Sequence, residues 1–368
     1  MLTGLYANNF RCLVEFETKF DSFGVLCGPN GSGKSSVFDV LQLIRSLATG
    51  DRMLGGDGPS DVHHLEFCHW LKSTTQEFEL HLTLDGRAFE YRVHLEQKAD
   101  YEQPRIVKES AKWEKNLLFE RDLEGVRFWK ADGSETGFPL DWRRSALSSI
   151  QPKGRLQPIA QLQEAISKLL IVRPNPRSME LESRGEAKRP DISLGNLTSW
   201  YRSLSQDQEW TKSLSDSLES VWADFKSFRL EEVGRDAKAL CLRFKGGNGD
   251  MLLYFHQLSD GEKALIGLYM IRVALATGAA RTVFIDEPEN FVGLPELQPW
   301  VLSLRELLDD ERQAILVSHH PEVLSSSGVD NGRYLWRESH TSSTKIGPLN
   351  VPAGLSPGEA IARGWVRA

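Results

Sequence analysis

Cysteine is scarce in this chain of 368 residues: there are four, Cys12, Cys27, Cys68 and Cys241, and no two stand in a C-x-x-C pair. That excludes a disulfide framework and a zinc-ligand spacing, so a reducing cytoplasm is the expected compartment. Long apolar runs are missing as well. The longest, Ala264 to Ala280, is interrupted by Arg272 and falls short of the roughly 20 residues a bilayer requires. The opening MLTGLYANNFRCLVEF lacks the basic-then-apolar order of a secretory leader, and the expectation is a protein with no membrane contact. Positive charge is not in excess either: a net charge of −7 argues against a surface that generally coats nucleic acid.

One segment departs from that balance. Between Trp142 and Pro190 there are ten basic residues (Arg143, Arg144, Lys153, Arg155, Lys168, Arg173, Arg177, Arg184, Lys188 and Arg189) against four glutamates. Such a stretch, 143–189, is either a site for the DNA phosphate backbone or a solvated face.

Periodicity outlines the fold. Phe23 to Cys27 is a short apolar run followed by a glycine loop and, from Lys34, apolar residues at helical spacing. From Gln76 the alternation is strict. Phe78, Leu80, Leu82 and Leu84 lie on one face, and Phe89, Tyr91, Val93 and Leu95 follow an Asp85-Gly86 turn, which predicts a β-hairpin. Short strands continue, then a Pro-, Ser- and Arg-bearing region with an expected loop over Glu182 to Pro190, then helical pattern to about Phe225. After Ala237, apolar strands alternate with helices, as in a parallel or mixed sheet covered by helices. The expected organisation is 1–95 as the first part of an α/β domain, 96–226 as an inserted, mainly helical lobe, and 227–368 as the second part.

Four motifs carry chemistry. GPNGSGKS comprises Gly28, Pro29, Asn30, Gly31, Ser32, Gly33, Lys34 and Ser35, with Ser36 next, and matches the phosphate loop G-x-x-x-x-G-K-[ST] in strand-loop-helix context. Its glycines let backbone N–H groups face a triphosphate, Lys34 reaches the β and γ phosphates, and Ser35 ligates magnesium. TVFIDEPEN ends an apolar strand in Asp286, placed for the magnesium shell, and Glu287, placed to polarise water as a general base; the bland alternative is a polar strand end. AILVSHH ends another such strand in Ser318, His319 and His320, with His319 either a structural histidine or a γ-phosphate sensor. QLSDGEK reads first as the start of an amphipathic helix, its Ser259 and Glu262 forming an S-x-x-E capping box. With Gly261 beside them, the same helix start is also an anion site.

In this order the motifs resemble the ABC-type ATPase heads of the RecF, structural-maintenance-of-chromosomes and OLD-like families, which include compact ATPases of bacterial defence loci. The resemblance covers about residues 1–95 and 227–325. It implies a P-loop NTPase of ABC-ATPase type: a mixed sheet flanked by helices, with an antiparallel β part. It also implies ATP and Mg2+ as cofactors and an ATP-dependent homodimer in which Ser259 and Gly261 of one copy close over the nucleotide held by the other. NNFRCL is similar to the N-F-R start of such heads, which puts Arg11 near the nucleotide, the alternative being a strand-end surface charge. Gln76 is the best match for the glutamine that completes the metal shell. The signature L-S-D-G-E departs from the transporter form L-S-G-G-Q, and NFVGLPELQPW replaces the usual loop after the second acidic motif.

The function expected is an ATP-hydrolysing switch or sensor in nucleic-acid transactions, set in antiphage defence with a separate effector such as a nuclease. Two alternatives share the motifs: the nucleotide-binding subunit of a transporter, and an ATP-binding scaffold with little hydrolysis.

Overall fold

The computed structural model describes residues 1–98, 103–129, 135–152, 157–247, 249–327 and 331–366. The chain divides into two compact units, Met1–Leu169 with Asn331–Asn350, and Leu170–Asp330 with Val351–Arg367.

The first unit is built on an antiparallel sheet of eight strands. These are β1 (Leu2–Asn8), β2 (Phe16–Lys19), β4 (Thr75–Leu84), β5 (Arg87–Glu96), β6 (Arg105–Trp113), β7 (Asn116–Arg121), β8 (Val126–Trp129) and β9 (Glu135–Phe138), in the order β2-β1-β4-β5-β6-β7-β8-β9. The hairpin forms as its alternation dictates: Phe78 faces Val93, Leu80 faces Tyr91 and Leu82 faces Phe89, all buried. Asp85 and Gly86 both take positive φ, 51° and 73°, the geometry of a two-residue turn matched to strand twist. Strands β6 to β9, read from the sequence as part of an inserted lobe, instead prolong this sheet, because β6 satisfies the backbone groups along the outer edge of β5. The segment 96–226 contributes residues to both units.

Also in this unit, β3 (Phe23–Cys27) leads through the glycine loop into α1 (Lys34–Thr49), and short helices α2 (Ala146–Ser149) and α3 (Gln157–Ser167) follow the sheet. Two late strands, β17 (Gly332–Trp336) and β18 (Lys345–Pro348), return to β3: β17 runs parallel to it and antiparallel to β18.

In the second unit β10 (Leu169–Val172), β15 (Thr282–Asp286) and β16 (Gln313–Val317) are neighbours, with β15 and β16 parallel and Asp286 opposite Val317. All three are buried along their whole length, as strands covered on both faces are. Helix α6 (Asp260–Ala276) is buried at every residue from Ala264 to Ile271, so it is a core helix there and not the amphipathic one its first residues suggest. A smaller antiparallel sheet joins β11 (Glu182–Ser183), β12 (Phe225–Val233), β13 (Ala237–Phe244) and β14 (Met251–Tyr254). Helices α4 (Leu197–Leu204), α5 (Gln208–Glu219), α7 (Leu294–Arg305), α8 (Pro321–Ser327) and α9 (Pro357–Ala362) complete the unit. No helix among the described residues is long and apolar enough to cross a membrane.

Candidate functional site

The phosphate loop is shaped by what its glycines avoid. Gly28 and Gly33 take φ of 145° and 102°, and a Cβ on either would strike a neighbour: the Leu335 carbonyl for Gly28, the Thr344 hydroxyl for Gly33. Both neighbours come from the β17–β18 hairpin, which also grips the loop directly. Thr344 donates its Oγ1 hydrogen to Ser32 O (2.9 Å) and its N–H to Cys12 O (2.9 Å), and Arg337 donates to Gly31 O (3.2 Å) while lying over the Trp70 ring. Arg337 and Thr344 lie some three hundred positions from the loop, and no local pattern marks them.

Within the loop, Lys34 folds back and donates to Gly28 O (2.8 Å) and Pro29 O (3.0 Å). The buried Ser32 Oγ has no hydrogen-bond partner, as expected of a donor shaped for a ligand oxygen. Cys27, just before the loop, is no nucleophile: burial pushes its thiol up to about 12, against the opposing charge of Lys34.

Arg11, at φ 49°, is bound by the carboxylates of Glu66 and of Asp39, the latter on α1 one turn beyond Ser35. The hydrogen bond to Glu66 leads in raising its pKa, against the opposing effect of burial. Gln76 is wholly buried and donates to Asn9 O (3.0 Å) and Glu66 O (2.9 Å), tying β4 to the turns on either side.

The second unit holds the acidic and signature motifs. Asp286 closes β15 with 3% of its side chain exposed, and its Oδ2 accepts a hydrogen bond from Arg173 Nε (2.7 Å) and forms an ion pair with Nη2 of the same guanidinium (2.6 Å). Glu287 sits at φ 51°, a left-handed conformation that costs a non-glycine residue about 1 kcal/mol. Its N–H is fixed on Val317 O (2.8 Å), one carboxylate oxygen accepts from Asn290 Nδ2 (2.8 Å), and the other lies 3.4 Å from His319 Nδ1. The parallel pairing of β15 and β16 thus joins two of the residues expected from sequence. Beside them the buried Ser318 donates to Glu289 Oε1 (2.7 Å) and holds the His320 N–H (3.0 Å).

Ser259 caps α6 as its pattern requires: Glu262 N–H donates to Ser259 Oγ (3.3 Å), and Ser259 N–H and Oγ both donate to Glu262 Oε2 (2.7 Å each). Gly261 has a reason to be glycine inside the chain, because a Cβ there would lie 2.8 Å from the Phe291 carbonyl. Arg177 pairs with Asp260 (3.1 Å) and covers the Phe291 ring. Arg173 and Arg177 were legible only as basic residues. Elsewhere in the 143–189 stretch Arg143 pairs with Asp141 and Lys168 with Glu164, while Lys153 and Arg155 lie outside the described residues.

Taken unit by unit, the donors suit a magnesium nucleotide: the first unit offers a glycine loop with a lysine, an unpartnered serine hydroxyl and the Ser35 hydroxyl, and the second offers the carboxylate of Asp286. Residues 23–325 match the family model described as "AAA domain, putative AbiEii toxin, Type IV TA system". No curated protein matches the chain. Among solved structures it is similar to an Smc head bound to the C-winged helix domain of ScpA, with 13% identity, 95% of this chain and 98% of that one covered, and a TM-score of 0.55. It is also similar to the Smc head domain with an extended coiled coil bound to the C-terminal domain of ScpA, derived from Pyrococcus furiosus, with 13% identity, coverage of 94% and 96%, and a TM-score of 0.53. The fold is therefore that of the Smc-type ATPase head.

Proposed function

The chain belongs to the AAA-domain family matched over residues 23–325, and on that premise we propose that it binds and hydrolyses Mg·ATP, dimerises head to tail around the nucleotide, and signals its nucleotide state to a separate effector protein. The observation that carries this reading is the Glu287–His319 pair: a carboxylate held in a strained backbone, oriented from both sides and still 34% exposed.

In this reading the Lys34 ammonium exchanges Gly28 O and Pro29 O for phosphate oxygens, and the loop N–H groups and Ser32 Oγ complete the cradle. Ser35 and Asp286 each carry a hard oxygen suited to magnesium, which supplies charge neutralisation at the phosphates when bound. Glu287 takes the proton of the attacking water through Oε1 or Oε2, while Asn290 and His319 keep the carboxylate in place. Ser259 and Gly261 approach the nucleotide of a second copy through the N-terminus of α6.

The setting proposed is bacterial conflict. The family's description as a toxin-antitoxin component supports it, and the ion pairs along 143–189 favour a protein effector over DNA as the direct partner.

Lys34→Ala is expected to lose ATP binding. Glu287→Gln is expected to keep it, release phosphate roughly 100-fold more slowly or worse, and accumulate as an ATP-dependent dimer in size-exclusion chromatography. If Glu287→Gln stays monomeric with ATP while Lys34→Ala binds nucleotide normally, the composite-site reading is wrong.

A further inference from the structure

In the smaller sheet of the second unit β12 pairs only with β13, so one whole side of the strand is a sheet edge. It has nine residues, whereas the other strands that end the sheets have four or fewer. Edges of this length are normally blunted by proline, bulges or cover. The sequence FKSFRLEEV has no proline, and its one register shift lies at the start, between Phe225 and Ser227. Among the described residues nothing bonds to the outward N–H and C=O groups of Ser227 to Val233. One face of the strand is taken, since Phe228 packs on Tyr201 of α4 with ring centroids 5.0 Å apart. The charges are sorted along it: Lys226 and Arg229 come first, Glu231 and Glu232 last, all exposed except the half-buried Glu231. Lys226 reaches Asp250 (2.6 Å), and Arg229 lies 3.4 Å from Glu231, which also accepts from Tyr254 Oη (2.7 Å). Glu232 has no ion-pair partner among the described residues.

We propose that β12 joins two copies of this chain without nucleotide, edge to edge and antiparallel, about a two-fold axis at Leu230. A strand that is basic first and acidic last attracts its own copy when antiparallel and repels it when parallel and in register. Symmetry then narrows the register, because a two-fold axis through such a pair must set one residue opposite itself. Centred on Arg229 or on Glu231, it would set like charges face to face. Centred on Leu230, it sets each Arg229 opposite the other copy's Glu231 and packs leucine on leucine. The backbone groups that a single chain leaves open pair across the axis, and two sheets become one. This contact lies in the second unit alone and is separate from the ATP-dependent dimer proposed above.

The test is the mass of the full chain without nucleotide, by sedimentation velocity over roughly 1–100 μM protein. Wild type should dimerise; a monomer throughout, or a dimer that forms only with ATP, overturns the proposal. Arg229→Glu and Glu231→Lys should each weaken self-association roughly tenfold, because each creates two like-charge pairs across the axis. An equimolar mixture of the two variants should dimerise like wild type, since opposite charges then meet at both places. Mixing cannot cure a defect inside either chain, so a mixture that stays monomeric beside a dimeric wild type refutes the contact, as do single variants that dimerise normally. Cysteine trapping serves if either variant does not fold. Leu230→Cys, on the axis, should form an interchain disulfide under mild oxidation, because facing Cα atoms lie about 4.5–5.5 Å apart, whereas Val233→Cys, remote from its mate, should not. The native cysteines are all buried and leave little background. Equal trapping at both positions, or none at Leu230→Cys, counts against the proposal equally.

Discussion

Replacing Gly261 with alanine separates the two reasons this position has for lacking a side chain. The added methyl would stand 2.8 Å from the Phe291 carbonyl oxygen, whereas a comfortable C···O contact is about 3.3 Å or more, so the backbone must give by about 0.5 Å. It has little freedom to do so, because Phe291 is already held at φ 72°. Overpacking of this kind costs about 1–3 kcal/mol. Alanine in a helix returns about 0.5–1 kcal/mol relative to glycine. The net expectation is a loss of ~0–2.5 kcal/mol, a fall in melting temperature of at most roughly 10 °C by scanning fluorimetry without nucleotide. A variant that melts above the wild type refutes the intrachain contact. In the Glu287→Gln background the same change should abolish the ATP-dependent dimer. Adding Phe291→Gly, which takes a positive φ without penalty, should restore melting but not dimerisation, because the methyl still projects at the N-terminus of α6. Recovery of both would leave Gly261 with no part in binding a partner's phosphate.

Two further outcomes probe the first unit. Glu109, fully buried 4.0 Å from the fully buried Arg121, accepts from Tyr91 Oη (2.9 Å), Ser145 Oγ (2.7 Å) and the N–H groups of Ala146 (2.7 Å) and Leu147 (3.0 Å). Glu109→Ala strands that arginine and those donors and should cost about 3–5 kcal/mol in urea unfolding; a loss below about 1 kcal/mol would mean the network relaxes freely. His81, 2.7 Å from Glu79, has its pKa raised chiefly by that hydrogen bond. A raised folded-state pKa stabilises fully below the unfolded value near 6.5 and ceases to as pH rises through the folded one. The stability gap between wild type and His81→Gln should therefore be widest at or below pH 6 and close in mildly alkaline buffer. A gap independent of pH would place the effect in packing.

What the sequence made legible was local. The hairpin from Gln76 follows from side-chain alternation and from Asp85-Gly86, both short-range signals. The glycine loop follows from spacing, and the Glu287–His319 approach from two apolar runs that pair in parallel, each ending in a polar group. The partition into units was not legible, because alternation says that β6 to β9 are strands and nothing about whose edge they join. Nor was α6 as a core helix: its first residues are polar, and only the packing of Leu194 and Met179 against Gly267 shows how closely it is enclosed. Thr344 and Arg337 support the phosphate loop through carbonyl contacts that any serine, threonine or arginine could make, so composition carries no trace of them.

The basic stretch is where counting along the chain misleads most. Ten lysines and arginines against four glutamates reads as a surplus, but charge is balanced in space, by whatever acid the fold brings near. Arg173 and Arg177, four positions apart in the segment RPNPR, are paired with Asp286 and Asp260, more than eighty positions downstream. Those two acids belong to the motifs that would meet a triphosphate, and both would repel it if unpaired. Two arginines that look like part of a nucleic-acid patch in one dimension thus stand, in three, as counter-charges to an acidic strand end and an acidic helix start. The D in L-S-D-G-E, the departure that set this signature apart from the transporter form, is the residue that Arg177 neutralises.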